Sequence, residues 1–106
     1  MRQGEIWVNR DLAGILTEDE EGYHFTYSSE YLLLANAVPV SLTLPLQEEV
    51  FHSVFLFPFF DGLIPEGWLL DIAQKNWKLN ARDRMGLLLA TCKDCIGNIS
   101  IIPLRP

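Results

Sequence analysis

Cys92 and Cys95 have the spacing of a metal-ligand pair or a redox dithiol, the most chemically suggestive pattern in the chain. A closed structural zinc site needs four ligands, and no second cysteine pair exists. The only histidines, His24 and His52, are far apart in sequence. A thioredoxin-type pair expects a strand–helix–strand setting that the flanking residues do not supply. Cys92 and Cys95 therefore read first as two ordinary thiols at a helix end, one or both buried. A small metal or redox protein built on them is the alternative. Neither histidine stands beside a Ser or Cys in a nucleophile motif, and the glycines are too scattered for a phosphate-cradling loop. The spacing of Asp61 and Glu66 would allow a carboxylate pair across a turn. They read as a backbone hydrogen-bond acceptor and a helix-end charge, not as a general acid and base. The expectation is a protein with no catalytic residues, no metal and no cofactor.

Aromatic side chains are more informative. Trp7, Trp68 and Trp77 join three tyrosines and six phenylalanines, more than a domain of 106 residues is expected to bury. Phe25, Phe55, Phe60 and Trp7 are expected in the core; Trp68 and Trp77 suit a core or an interface equally. Tryptophan left at a surface commonly anchors a protein partner. The net charge of −6 and the absence of a Lys/Arg cluster argue against direct nucleic-acid binding. No apolar run has signal-peptide or membrane-spanning length; residues 50–60 are interrupted by His52, Ser53 and Pro58. A cytoplasmic single domain over residues 1–106, with no membrane contact, is the simplest expectation.

The stretch from Phe59 to Trp68 must be positioned by what surrounds it. Gly62 permits a turn, and Pro65 suits the first turn of a helix because its missing amide hydrogen would be unpaired there. Glu66 then lies at the positive end of the helix dipole. Trp68, Leu69, Ile72, Ala73 and Trp77 recur at helical spacing, which predicts a helix over 65–78. Upstream, residues 4–14 suggest a β-hairpin broken at Asn9-Arg10-Asp11, with Ile6 and Val8 on one face and Trp7 on the other. Residues 17–22 read as an acidic, solvated turn. Tyr23, Phe25 and Tyr27 alternate cleanly as a strand. Residues 28–35 suggest a capped helical turn, and Val40-Ser41-Leu42-Thr43-Leu44, bracketed by Pro39 and Pro45, an edge strand. A helix is expected from His52 or Val54 into Asp61, although Pro58 opposes it. Asn80 is expected to cap a helix over 82–91 carrying Met85, Leu88, Leu89 and Cys92, and residues 98–102 form a last strand. The fold class is α+β: four to five short antiparallel strands in a small open barrel or curled sheet, with two to three helices.

Four short signatures occur in register: Ile6-Trp7-Val8-Asn9 with Ala13-Gly14-Ile15-Leu16; Pro39-Val40-Ser41-Leu42-Thr43-Leu44-Pro45-Leu46; Phe59-Phe60-Asp61-Gly62-Leu63-Ile64-Pro65-Glu66; and Asp94-Cys95-Ile96-Gly97-Asn98-Ile99 leading to Ile102-Pro103. Together they resemble the N-terminal subdomain of HipA-type serine/threonine kinases of bacterial toxin–antitoxin systems, a small open β-barrel with helices. A HipA kinase continues for several hundred residues with its nucleotide loop, catalytic Asp and magnesium ligands, whereas this chain stops at Pro106. A free-standing copy of the subdomain is similar to the HipS-type antitoxins of tripartite HipBST systems, whose companion kinase lacks that piece. The Met1 start and proline-flanked end favour a complete small protein over a fragment of a kinase.

The resemblance implies a non-enzymatic antitoxin that binds a HipT-like kinase where the kinase's N-terminal subdomain would sit. A HipB-like DNA-binding protein would complete a ternary complex. Phe59, Asp61, Ile64, Glu66 and Trp68 are the expected partner-binding residues: apolar side chains at the centre and carboxylates at the rim. A structural subdomain that aids kinase folding without inhibiting it is the neighbouring alternative.

Overall fold

The computed structural model describes residues 1–64, 82–92 and 98–104. Five strands form one antiparallel sheet: β1 Arg2–Val8, β2 Asp11–Asp19, β3 Gly22–Tyr27, β4 Phe51–Ser53 and β5 Ile99–Leu104. Their spatial order is β4-β3-β2-β1-β5, so the sheet is open, with β4 and β5 at its edges. The described helices are α1 Ser29–Leu32, α2 Pro58–Asp61 and α3 Arg84–Thr91. The α+β class and the open curled sheet are as expected. The 65–78 helix, Asn80 and Trp77 lie outside the described residues.

The β1–β2 hairpin turns at Asn9, whose φ of 56° is one that asparagine tolerates well. A register shift between Ile6 and Trp7 sets Ile6 opposite Gly14 and Trp7 opposite Leu12. The bulge keeps Ile6, Val8, Ala13 and Leu16 all on the buried face. Strand alternation puts Trp7 on the other face, where it is only partly buried and its Nε1–H has no partner among the described residues. The expectation of Trp7 in the core is corrected accordingly. The acidic run is not all turn. Thr17, Glu18 and Asp19 still pair along β2, and the turn shrinks to Glu20 and Glu21. Gly22 closes it at φ +124°; a Cβ there would lie 2.5 Å from the Ser53 carbonyl oxygen.

Residues 40–44 do not form the expected strand. Only an isolated Ser41–Leu44 bridge is present. Pro39 and Pro45 offer no amide hydrogens, and the buried Tyr27 hydroxyl takes the place of a neighbouring strand. It accepts from the Val40 N–H at 3.0 Å and donates to the Leu44 carbonyl. Tyr31 acts likewise, donating to the Val38 carbonyl at 2.7 Å and accepting from its N–H at 3.2 Å. In a strand, Val40, Leu42 and Leu44 would share one face. In the observed turn Val40 and Leu44 point inward and Leu42 points out.

Residues 50–60 are also not one helix. They divide into β4 and α2, because Pro58 begins α2 at a position where its missing N–H costs nothing. Ser28 sits at the N-cap of α1 without a side-chain cap bond, so the helical turn is present but not capped as expected. The cap of α3 is Asp83, whose side chain accepts from the Gly86 N–H. Pro103 is tolerated inside β5 because that strand is an edge.

The buried face of the sheet meets Phe60 from α2 and Met85, Leu87 and Leu88 from α3. Phe25 centres this core, with the Phe60 ring edge-on at 5.5 Å and the Tyr27 ring at 4.8 Å. Phe25 and Phe60 are core residues as expected, but Phe55 is 79% exposed.

Replacing Tyr27 with Phe leaves the Val40 N–H and the Leu44 carbonyl unpaired in a buried setting. Urea unfolding is expected to show a loss of about 1–3 kcal/mol, larger than a hydroxyl at the surface would give.

Candidate functional site

The site is the corner where α2 and α3 meet. After Pro58 the chain makes a tight run of backbone bonds: Asp61 N–H to Phe57 O at 3.0 Å, Gly62 to Pro58 at 2.9 Å, Leu63 to Phe60 at 3.0 Å and Ile64 to Asp61 at 3.2 Å. This fixes which side chains face in. Phe60 and Ile64 point into the core; Ile64 is only 3% exposed. Phe59 is partly buried, its ring edge-on to Phe60 at 5.2 Å. Asp61 points outward and accepts from Arg84 Nε at 2.6 Å. An open depression of about 550 Å³ lies beside this pair, walled by Val54, Phe55, Pro58, Asp61, Arg82 and Arg84.

Arg84 is placed by an ionic relay that starts at the other end of the chain. Arg2 donates to both Asp83 oxygens, at 2.7 and 2.8 Å, and to Glu18 at 2.7 Å. The other Glu18 oxygen accepts from the Tyr23 hydroxyl at 3.1 Å. Asp83 in turn caps α3 through the Gly86 N–H at 3.1 Å. Gly86 is needed for that close approach, since a Cβ there would lie 2.3 Å from Asp83 Oδ2. The Arg2 guanidinium holds the Asp83 carboxyl below its ordinary range; partial burial opposes this and the Gly86 N–H assists it. Asp83 and Glu18 hold Arg2 even more firmly protonated. Burial, then the Glu18 carboxylate, pushes the Tyr23 hydroxyl up.

Of the five expected partner-binding residues, Phe59 and Asp61 come together at this corner. Ile64 is turned inward beneath them, and Glu66 and Trp68 lie outside the described residues. The Asp61 carboxylate is already paired within the chain, so a cation from a partner would have to share it with Arg84. Sequence reading missed Arg84, 23 residues from Asp61, and the exposed Phe55. No local signal points to either.

The structure brings together two residues that sequence held apart. His24 and His52 are opposite each other across β3 and β4, ring centroids 4.7 Å apart. His24 Nε2 lies 3.2 Å from Asp19 Oδ1, and His52 Nε2 lies 3.0 Å from the Glu21 carbonyl oxygen. The Glu21 N–H, foremost, and His24 hold the Asp19 carboxyl below its usual range. Among the described residues, no group of three His, Cys, Asp or Glu is placed to hold a metal ion. Cys92 is buried at the end of α3 with its sulfur 3.3 Å from the Leu63 carbonyl oxygen; it is disulfide-bonded, which corrects the reading of an ordinary thiol there. Cys95 lies outside the described residues.

The relay makes an acid-side prediction. Because the native Asp83 pKa is below its unfolded value, the unfolded state binds more protons as the pH falls through the carboxylate range. The contribution is complete above pH about 4 and is lost below it. Asp83→Asn keeps a competent cap but removes the charge. At neutral pH this part-exposed pair is expected to cost less than about 1 kcal/mol. Urea midpoints measured from pH 7 to pH 3 should fall less steeply for the variant than for the wild type.

Known proteins share this fold. The HipA N-terminal domain family matches residues 4–102. An uncharacterized protein of Haemophilus influenzae is 33% identical over 101 residues, which covers 95% of this chain and 92% of that protein. A Sinorhizobium fredii protein that carries the name of a kinase, Y4mE, is 28% identical over 99 residues. That match covers 92% of this chain but 24% of Y4mE, so the chain spans about a quarter of that relative's length. A solved structure described as the N-terminal domain of HipA toxin superposes with a TM-score of 0.73 at 29% identity, covering 99% of this chain and 94% of that one. The match begins within β1 and ends within β5, and the chain therefore belongs to the HipA N-terminal domain family.

Proposed function

We propose that this chain is a non-catalytic antitoxin that binds a HipT-like serine/threonine kinase and restrains it. One observation carries the reading. The same domain makes up a quarter of a protein named as a kinase, yet nearly the whole of the H. influenzae relative. A domain that occurs both attached and almost alone is suited to dock, from outside, where an attached copy would sit.

The α2–α3 corner is the docking surface in this reading. Phe59 supplies apolar area, and the Asp61–Arg84 pair supplies a polar rim that can take or give a hydrogen bond. Ile64 supports the corner from beneath. Glu66 and Trp68, which follow directly in sequence, extend the contact. An interface that holds should bury at least about 1,000 Å² in total. Inhibition also requires a preference for the inactive kinase, because equal binding to both states shifts nothing. A HipB-like DNA-binding protein would complete a ternary complex, in which DNA contact falls to that protein because the negative chain gives a nucleic-acid backbone little to hold. The compartment is the cytoplasm, where such a kinase acts; no described helix is long and apolar enough to cross a membrane. The Y4mE match also favours a second reading, in which the domain only helps a kinase fold.

Co-expression separates these readings. As an antitoxin, the wild-type chain restores growth to cells expressing the kinase and co-purifies with it. Asp61→Ala and Trp68→Ala should weaken that binding at least about tenfold while remaining folded. A kinase that is insoluble alone, and becomes soluble and more active with the chain, would establish the folding role instead. A chain that never co-purifies with the kinase would rule out both.

A further inference from the structure

Leu42 is 97% exposed at the tip of a turn whose backbone is held on both sides. The Leu44 N–H bonds the Ser41 carbonyl at 3.0 Å, and the Thr43 N–H approaches Ser41 Oγ at 3.3 Å. Beneath the turn, Val40 and Leu44 are buried and tied to the Tyr27 hydroxyl, while Tyr31 ties Val38. The loop is therefore pre-organised, and it presents a leucine to solvent with Leu33 and Val38 also exposed nearby in sequence. Pre-organisation of this kind removes part of the ordering cost of binding.

The charge pattern says what kind of partner fits. Residues 11–64 contain nine Asp or Glu and no Lys or Arg; all eight cations lie outside that range. Glu30, Glu48 and Glu49 are exposed carboxylates flanking the apolar loop in sequence. Two copies of this half would meet as like charge on like charge, which disfavours self-association. A complementary surface has an apolar pocket for Leu42 and lysine or arginine around it.

We infer that the loop over residues 33–50, led by Leu42, is a second docking surface that inserts into an apolar pocket rimmed by basic residues on the kinase. This rests on the kinase-binding reading above and adds a contact separate from the α2–α3 corner. The test titrates the full chain and its variants against the purified kinase at low and moderate salt, with thermal melts as a folding control. Leu42 is so exposed that Leu42→Asp should melt like the wild type, yet bind at least about tenfold more weakly. Leu42→Met should bind nearly as well as the wild type, and wild-type affinity should fall as salt rises. Leu42→Asp binding within twofold of wild type, or affinity insensitive to salt, overturns the inference. So does a wild-type dimer that Leu42→Asp dissociates, because the occupant is then a second copy. If Asp61→Ala and Trp68→Ala abolish binding while Leu42→Asp does not, the corner stands and the loop surface falls. If the wild-type chain does not bind the kinase, both readings fall together.

Discussion

A sheet of short strands has one apolar face, and that face has to be covered by segments that could not hold their shape alone. Here α1 and α2 are four residues each and α3 is eight, all shorter than a helix stable by itself in water. Each keeps its conformation because it buries side chains in the common core: Tyr31 from α1, Phe60 from α2, and Met85, Leu87 and Leu88 from α3. The dependence runs both ways. Without Phe60, Met85, Leu87 and Leu88 the inner face of the sheet would remain wet, and without the sheet the helices would have no reason to persist. Tyrosine hydroxyls extend the same logic to the 33–50 connection, where a side chain supplies the hydrogen bonds that a neighbouring strand would normally give.

Electrostatics is distributed unevenly over this frame. Arg2, shared between Glu18 and Asp83, ties β1, β2 and the start of α3 together, and Arg84, next to Asp83 in sequence, pairs with Asp61. The strands and loops between residues 11 and 64 have no cation of their own. The molecule thus has a neutralised corner and an anionic flank, two surfaces that would read a partner by different means.

Much of the fold was legible because its signals are local. The first hairpin follows from alternation and a polar break at Asn9; β3 follows from Tyr23, Phe25 and Tyr27; α3 follows from the spacing of Met85, Leu88 and Cys92. The errors share a different cause. The period-two pattern of Val40, Leu42 and Leu44 is real, but what answers it is the distant Tyr27 hydroxyl, which turns a would-be strand into a loop. Pro58 could be an objection inside a helix or the start of one, and only the presence of β4 immediately before it decides. The site was half legible. Phe59 and Asp61 stand where a turn before a helix should place them, while Arg84 and the histidine pair depend on contacts across the fold that no spacing reveals. Ile64 was expected at the apolar centre of a partner contact, yet the tight run after Pro58 turns it into the core.

The position of β5 has a consequence for biosynthesis. β1, the first strand made, lies between β2 and β5, so one of its two edges is satisfied only by residues 99–104, the last strand of the sheet. On the ribosome the early hairpin can form as soon as β2 emerges, but its outer edge stays bare until translation has passed Leu104. For that interval the nascent chain displays an unpaired strand carrying Ile6 and Val8, a state open to chaperones or to mispairing. The sheet is therefore completed only once its last strand has been made, however early its first turn forms.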